Sequence, residues 1–277
     1  MCRLRTLFWK LSTGYSSGTF WIGVHFLHAV VTGAGRGIGK SVELMFANAG
    51  ANVAIFARGQ AEIAAVAGEV TAMGRRCISM SVDVADATAA KTFCDATLAE
   101  FGGVDIIVNF AGAYLERGEF ADSDPDLWWK TMEVNVRGPY LISRHLIDGM
   151  RKGGKIISLK SGKGYSAGAN SSAYHVSKAA LNMLTDGLAN ELWSRDIDVN
   201  SLVPGPTATA TFQNADPKDA KSPAEVLALG PDSLPKGLPA WERVKHPDEV
   251  AALALQMARQ PIGGPTGQIF SLARRPM

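Results

Sequence analysis

A chain of 277 residues that is 47% hydrophobic and 19% charged has the balance of an ordinary globular protein. Its net charge of +2 supplies no field suited to nucleic acid or an anionic membrane surface, and no basic run with interleaved aromatics occurs. Cys2, Cys77 and Cys94 are odd in number and far apart, which excludes a disulfide framework or a metal knuckle and fits a reducing compartment.

Met1 to Phe26 holds Arg3, Arg5 and Lys10 but no acidic residue; the first acid of the chain is Glu43. An acid-poor, Arg- and Ser-bearing start is a mark of organelle transit segments. It is also the composition of a poorly ordered leader with no address, and no clear amphipathic period favours the first reading. No apolar stretch reaches the ~20 residues of a membrane helix. The expected location is cytoplasmic, or mitochondrial if the leader is a transit segment, and the folded domain is expected over 27–277.

From Leu27 onward short apolar runs alternate with helical patterns. Ala29-Val30-Val31 is a strand, followed by Thr32 and the glycines Gly33, Gly35, Gly37 and Gly39, and then by a helical run from Ser41 to Ala47. Glycine permits positive φ at a sharp reversal and lets backbone approach a phosphate, while the helix start offers free N–H groups to a pyrophosphate. Strands are expected at Val53–Phe56, Cys77–Val82, Ile106–Val108, Lys155–Leu159, Val199–Val203 and Gln268–Leu272. Helices are expected at Gln60–Met73, Ala87–Phe101, Asp124–Met150, Ser172–Trp193 and Pro247–Arg259. Buried-type strands, each followed by a helix, predict an α/β fold with a doubly wound parallel sheet in a single domain. The stretch 206–240 is too long for a plain connection and reads as a lid. Its apolar residues Phe212, Leu227, Leu229 and Leu234, with Trp241 beyond, suggest an apolar pocket wall or contacts of the lid with the body.

Tyr174 and Lys178 stand four apart on a predicted helix and so share a face. A cation one turn from a phenol favours the phenolate and brings it nearer to use as an acid or base at neutral pH. Ser161 follows the fifth strand, at the end of a parallel sheet where ligands bind. Asn109 and Asn135 are polar residues in apolar surroundings.

Taken together, Thr32-Gly33-x-x-x-Gly37-x-Gly39, Asp83, Asn109-x-Ala111-Gly112, Asn135, Ser161, Tyr174-x-x-x-Lys178 and Pro204-Gly205 resemble the short-chain dehydrogenase/reductase family, from about Leu27 to the C-terminus. The resemblance implies a Rossmann-type domain that uses a nicotinamide cofactor on a carbonyl or secondary alcohol. It implies that Tyr174 exchanges a proton with the substrate oxygen and that Ser161 hydrogen-bonds that oxygen. Lys178 is expected to bind the ribose and lower the Tyr174 pKa, and Asn135 to hold a water linking Lys178 to solvent. Thr32, Gly33, Arg36, Gly37, Ile38, Gly39, Arg58, Val84, Asn109, Ala111 and Gly112 are expected around the cofactor. Asp83 is expected at the adenine, Thr209 at the carboxamide, and Pro204-Gly205 beside the nicotinamide. A homotetramer or homodimer is implied through the two long helices; no metal is expected.

Three places depart from the family pattern: Phe110 replaces an Asn, Lys160 replaces a Ser, and an Asp-Gly-Gly near the C-terminus is missing. The end of the second strand decides the cofactor. An acid there accepts from the ribose 2′-hydroxyl of NAD, but this chain has Ala57 followed by Arg58, and Arg36 lies near the same place by the resemblance. The expected cofactor is therefore NADP, with a small, largely apolar substrate.

Overall fold

The computed structural model describes residues 27–230, 234, 238–239 and 241–274. The leader, most of 231–240 at the far end of the lid, and 275–277 lie outside the described residues. The elements in chain order are β1 (His28–Thr32), α1 (Gly37–Asn48), β2 (Asn52–Ala57), α2 (Gln60–Ala72), β3 (Cys77–Ser81), α3 (Ala87–Phe101) and β4 (Val104–Asn109). They continue with α4 (Pro125–Met132), α5 (Gly138–Leu146), β5 (Met150–Leu159), α6 (Ser172–Leu192) and β6 (Asp198–Val203). Two short lid helices, α7 (Ala210–Gln213) and α8 (Pro223–Ala228), precede α9 (Pro247–Ala258) and β7 (Ile269–Ser271).

The seven strands form one parallel sheet in the order β3-β2-β1-β4-β5-β6-β7. Every residue of β1 and β6 is buried, the pattern of central strands covered on both faces. Neighbouring residues of β1 point to opposite faces and enter separate cores. Val31 joins Phe46, Ile55, Val250 and Ala254 beneath α1 and α9, whereas Val30 joins Phe93, Ile107, Ile142 and Leu146 beneath α3 and α5. Each such large side chain removed from water contributes roughly 1.5–3 kcal/mol. The chain order reverses between β1 and β4, which opens a crevice at their carboxyl ends.

The helices begin where the sequence supplies caps. The Asp86 side chain accepts from the N–H groups of Thr88 and Ala89 at the start of α3, and Asp124 accepts from Asp126 and Leu127 ahead of Pro125 in α4. The long helix expected over Asp124–Met150 is present but irregular: every residue from Pro125 to Gly149 is helical. After α4 the chain widens into a π turn over Glu133–Arg137, resumes as α5, tightens over Ile147–Gly149, and is already strand at Met150. Pro139 carries no N–H for the preceding turn, so the ladder is interrupted there. Gly138 is pressed against β3's exit loop: a Cβ at this position would lie 2.7 Å from Val84 Cγ2. β5 is correspondingly longer than expected, and Arg151 to Gly154 bulge out between the Val104–Met150 and Ile106–Lys155 pairs.

Among the described residues no helix is long and apolar enough to cross a membrane, and no group of three or more His, Cys, Asp or Glu could hold a metal ion.

Candidate active site

A cleft of about 1460 Å³ runs along the carboxyl ends of the strands. That exceeds a drug-sized pocket and has room for a dinucleotide plus a small substrate. Its floor is the glycine turn. Gly33 has φ +71°, and a Cβ there would come within 2.9 Å of the Ala111 Cα, so β1 and β4 meet only because neither side presents bulk. A Cβ on Gly39 would sit 2.2 Å from the Gly33 carbonyl oxygen, which closes the turn against the first turn of α1. No side chain caps α1, so its leading N–H groups face the cleft. Gly33, Arg36, Gly37, Ile38 and Gly39 all line it, as do Ala111 and Gly112.

Thr32 and Asn109 take a different place from the one expected: both are buried and neither lines the cleft. Thr32 Oγ1 accepts from the N–H groups of Phe110 and Ala111 at 3.0 and 2.8 Å, which ties the β1 turn to the β4 turn. Asn109 donates to Ser143 Oγ at 3.1 Å. Phe110 replaces a polar side chain with a ring packed into the core beside Ala34 and Val108.

At one end of the cleft lie Ala57, Arg58, Asp83 and Val84. Ser81 Oγ donates to the Arg58 carbonyl at 2.8 Å and fixes the backbone that carries the guanidinium. Arg36 pairs with Glu62 of α2 at 3.3 Å, an exposed contact of small worth. Burial alone would raise the Asp83 carboxyl, but the Ala85 N–H at 3.0 Å and Lys130 at 3.2 Å outweigh it and hold the group below its ordinary value. The sequence reading missed Glu62 and Lys130, which reach the cleft from α2 and α4.

Tyr174, Ser161 and Lys178 line the other part of the cleft together. Ser161 stands close enough to the Tyr174 hydroxyl to act on its titration, while its Oγ accepts from Lys163 N at 3.2 Å. Lys178 is buried and donates to the Leu159 carbonyl at 2.9 Å, with its Nζ 5.6 Å from the centroid of the Tyr174 ring. Burial lowers the Lys178 pKa to about 8. The Lys178 charge is not among the influences that set the Tyr174 pKa. Burial is the largest influence on Tyr174 and raises its pKa; Ser161 and the Arg117 charge offset this only in part, and Tyr114 adds to it. The phenol is therefore held in its protonated form.

Asn135 does not reach the cleft either. Its Oδ1 accepts from Ala113 N at 2.7 Å, while Nδ2 donates to the Ala113 carbonyl at 2.8 Å and to Ser177 Oγ at 3.0 Å. These bonds clamp the loop after β4 to α6, one residue from Lys178. A second clamp has no counterpart in the sequence reading. Glu116 is buried, and its carboxylate accepts from Ala173 N at 3.1 Å at the start of α6, beside Tyr174. An acid suits a helix N-terminus, but nothing in the sequence of a loop signals that partnership.

Pro204, Gly205 and Thr209 line the cleft where β6 passes into the lid. Thr209 caps α7 by accepting from Phe212 N at 3.2 Å, and its Cγ2 lies 3.3 Å from where a Cβ on Gly37 would be. The missing Asp-Gly-Gly is replaced by another latch. Glu242 is buried, pairs with buried Lys245 behind Gly205, and accepts from Arg274 N at 3.1 Å. Trp241 Nε1 donates to the Arg274 carbonyl at 2.6 Å. Lys160, in place of the expected Ser, is buried against the partly exposed Asp186 at 3.3 Å, and burial lowers its pKa. Of the lid's apolar residues Phe212 lines the cleft, while Leu227, Leu229 and Trp241 are exposed.

Residues 27–220 match the family model for short chain dehydrogenases. A short chain dehydrogenase of Pseudocercospora fijiensis is 39% identical over 181 residues, which are 64% of this chain and 58% of that protein. A 2-dehydro-3-deoxy-D-gluconate 5-dehydrogenase of Pseudoalteromonas atlantica is 34% identical over 83% of this chain and 87% of its own length. Among solved structures, a short chain dehydrogenase of Burkholderia cenocepacia in complex with NADP superposes with a TM-score of 0.78 at 31% identity, covering 91% of this chain and 98% of that one.

Proposed function

The chain belongs to the short-chain dehydrogenase/reductase family of oxidoreductases, and from that premise we propose that it reduces a small carbonyl compound, or oxidises the matching secondary alcohol, with NADP(H). One observation carries the reading. Tyr174, Ser161 and Lys178 stand together on the wall of the cleft that the glycine turn opens. The residues fit a dinucleotide: Gly33 and Gly39 leave a cradle that side chains would fill, and the free start of α1 suits a pyrophosphate. When bound, a nicotinamide supplies or takes the hydride.

The remaining work falls to this chain. Tyr174 holds a proton because burial disfavours its phenolate, and a protonated phenol is the form needed to protonate a developing alkoxide. Ser161 orients the substrate oxygen toward that proton. General acid catalysis of this kind contributes typically ~10²–10⁴ in rate. Lys178 offers an ammonium to a ribose. Asn135 and Glu116 act one step away by fixing the loop and the helix that carry these groups.

The preference for NADP rests on Ala57 and Arg58. No acid ends β2, the nearby Glu62 carboxylate is paired with Arg36, and Arg58 presents a planar, always-charged fork beside Ala57. Phe212 and Leu238 along the lid support a substrate with an apolar body. Exposed Trp129, Tyr140 and Met183 on α4, α5 and α6 support a homodimer or homotetramer formed through these helices. A panel of ketones and aldehydes with NADPH, followed at the nicotinamide absorbance, tests the assignment. Binding of the nucleotide with no turnover of any carbonyl, and none of any alcohol with NADP, would overturn it.

A further inference from the structure

The charges along the cleft are not evenly balanced. At the glycine-turn end, Arg36 pairs with Glu62, and Lys130 pairs with Asp83. Lys160 pairs with Asp186. Around the Tyr114 ring that stacks on Tyr174, two cations line the cleft with no acidic ion-pair partner among the described residues: Arg117, from the loop after β4, and Lys163, from the turn after β5. The nearest acid in sequence, Glu116, is buried and engaged with the start of α6.

These two side chains are held in place. Tyr114 stacks on Tyr174 with ring centroids 4.5 Å apart and planes at 22°. That spacing leaves no room between the rings, so the Arg117 guanidinium, 3.8 Å from the Tyr114 centroid, covers the opposite face. Lys163 Nζ donates to Tyr114 Oη at 3.1 Å and to Ser171 Oγ at 3.3 Å. Both cations are therefore fixed on the ring that lies against the proton donor. A cleft wall of one sign focuses its field on whatever enters.

We propose that Arg117 and Lys163 bind an anionic group, a carboxylate above all, on the substrate whose carbonyl oxygen meets Tyr174. The preferred substrate is then an oxo acid, or the corresponding hydroxy acid in the reverse direction. The proposal rests on the dehydrogenase reading above and narrows its substrate class. An apolar body against Phe212 and a carboxylate against Arg117 and Lys163 fix the molecule at two points, leaving the carbonyl between them. Arg117's fork matches a carboxylate in two parallel hydrogen bonds, and Lys163 adds a point charge.

The test compares pyruvate, acetoacetate and levulinate, which place the carboxylate at increasing separation from the ketone, with their methyl esters, which keep the ketone and remove the charge. Initial rates with NADPH are paired with calorimetric titration of each compound into protein saturated with NADP. The wild type is expected to favour at least one acid over its ester by about tenfold or more in kcat/KM, the scale of a single charge-assisted contact. Arg117→Met with Lys163→Met is expected to abolish that preference through the KM of the acid, read as the acid-to-ester ratio of kcat/KM within the same variant. Lys163→Gln alone, at an exposed position that tolerates exchange, is expected to lose part of it. Ester turnover equal to acid turnover in the wild type overturns the proposal and leaves the dehydrogenase reading standing. If none of these compounds turns over, the dehydrogenase reading is judged by the wider carbonyl panel, and the titration decides the anion site: tighter binding of an acid than of its ester, lost in the double variant, upholds it, and equal binding refutes it.

Discussion

Lys178 Nζ donates to the carbonyl oxygen of Leu159, the last residue of β5, at 2.9 Å. That bond sets α6 against the sheet and holds the ammonium 5.6 Å from the centre of the Tyr174 ring. Two roles follow for Lys178, one structural and one toward a ribose. Burial holds its pKa at about 8, so it is charged below that pH and loses its charge above it.

Tyr174→Phe keeps the ring stacked on Tyr114 and removes only the proton. Turnover is expected to fall at least ~10²-fold with nucleotide affinity nearly unchanged. A variant that keeps more than about a tenth of the activity would show that another group is the acid. Lys178→Ala is expected to lose both turnover and nucleotide affinity. In the wild type, nucleotide affinity is expected to weaken as pH rises through about 8, where Lys178 discharges. A flat affinity across that range would remove Lys178 from the ribose site.

Glu116 fixes the start of α6 through Ala173 N. Glu116→Ala is expected to cost about 1 kcal/mol of stability, the usual cost of a lost helix cap. It is also expected to lower kcat while leaving nucleotide affinity in place, because the displaced residue is Tyr174. Thermal melting and steady-state rates check this together; a change in melting with no change in kcat would confine Glu116 to stability.

Glu43 is a buried carboxyl on α1 with no hydrogen-bond partner on either oxygen. Burial, with Glu69 adding to it against Lys40, raises its pKa from 4.5 to about 9. The folded state thus holds a proton that the unfolded state releases. Stability from this group is full below the unfolded value and declines as pH rises from 4.5 to about 9. The slope approaches roughly 1.4 kcal/mol per pH unit at most. Glu43→Met keeps the volume in a stripe that includes Val42 and Phe46 and is expected to remove that slope. Denaturant melts at several pH values decide it: parallel curves for variant and wild type would show that Glu43 does not carry the dependence.

The strand and helix order was legible because central parallel strands are continuous apolar runs and the helices between them carry caps such as Asp86 and Asp124. The π turn over Glu133–Arg137 was not legible, since Pro139 reads equally as the start of a new helix or as an irregularity inside one. In the site, Tyr174, Ser161 and Lys178 meet in one cleft as their spacing suggested. Thr32 and Asn109 were expected around the cofactor and Asn135 behind Lys178; in the structure Thr32 and Asn135 hold the Phe110–Ala113 loop and Asn109 bonds to Ser143. A polar residue at a strand end has the same sequence signature in either role. Tyr114, Arg117 and Glu116 come from that same loop, where no periodicity says which way a side chain turns.

Cofactor choice turns on three residues at the carboxyl end of β2. Ala57 ends the strand without an acid, Arg58 follows it, and Glu62 of α2 lines the same part of the cleft while pairing with Arg36 at 3.3 Å. A 2′-phosphate draws both arginines, but it must take Arg36 from Glu62 and tolerate that carboxylate nearby. Two charge-assisted hydrogen bonds at ~1.5–3 kcal/mol each give a preference for NADPH over NADH on the order of a hundredfold before desolvation. Glu62→Gln removes the competing charge and keeps the shape, so it is expected to tighten NADPH several-fold and leave NADH nearly unchanged. Ala57→Asp with Arg58→Ala restores an acceptor for the ribose hydroxyl and removes the phosphate's partner, and is expected to reverse the preference. The measurement is kcat/KM for both nucleotides with one substrate across the three proteins. Equal values in the wild type, or a preference for NADH, would show that Arg58 is only a solvated side chain. A weaker NADPH interaction in Glu62→Gln would show instead that Glu62 positions Arg36 for the phosphate.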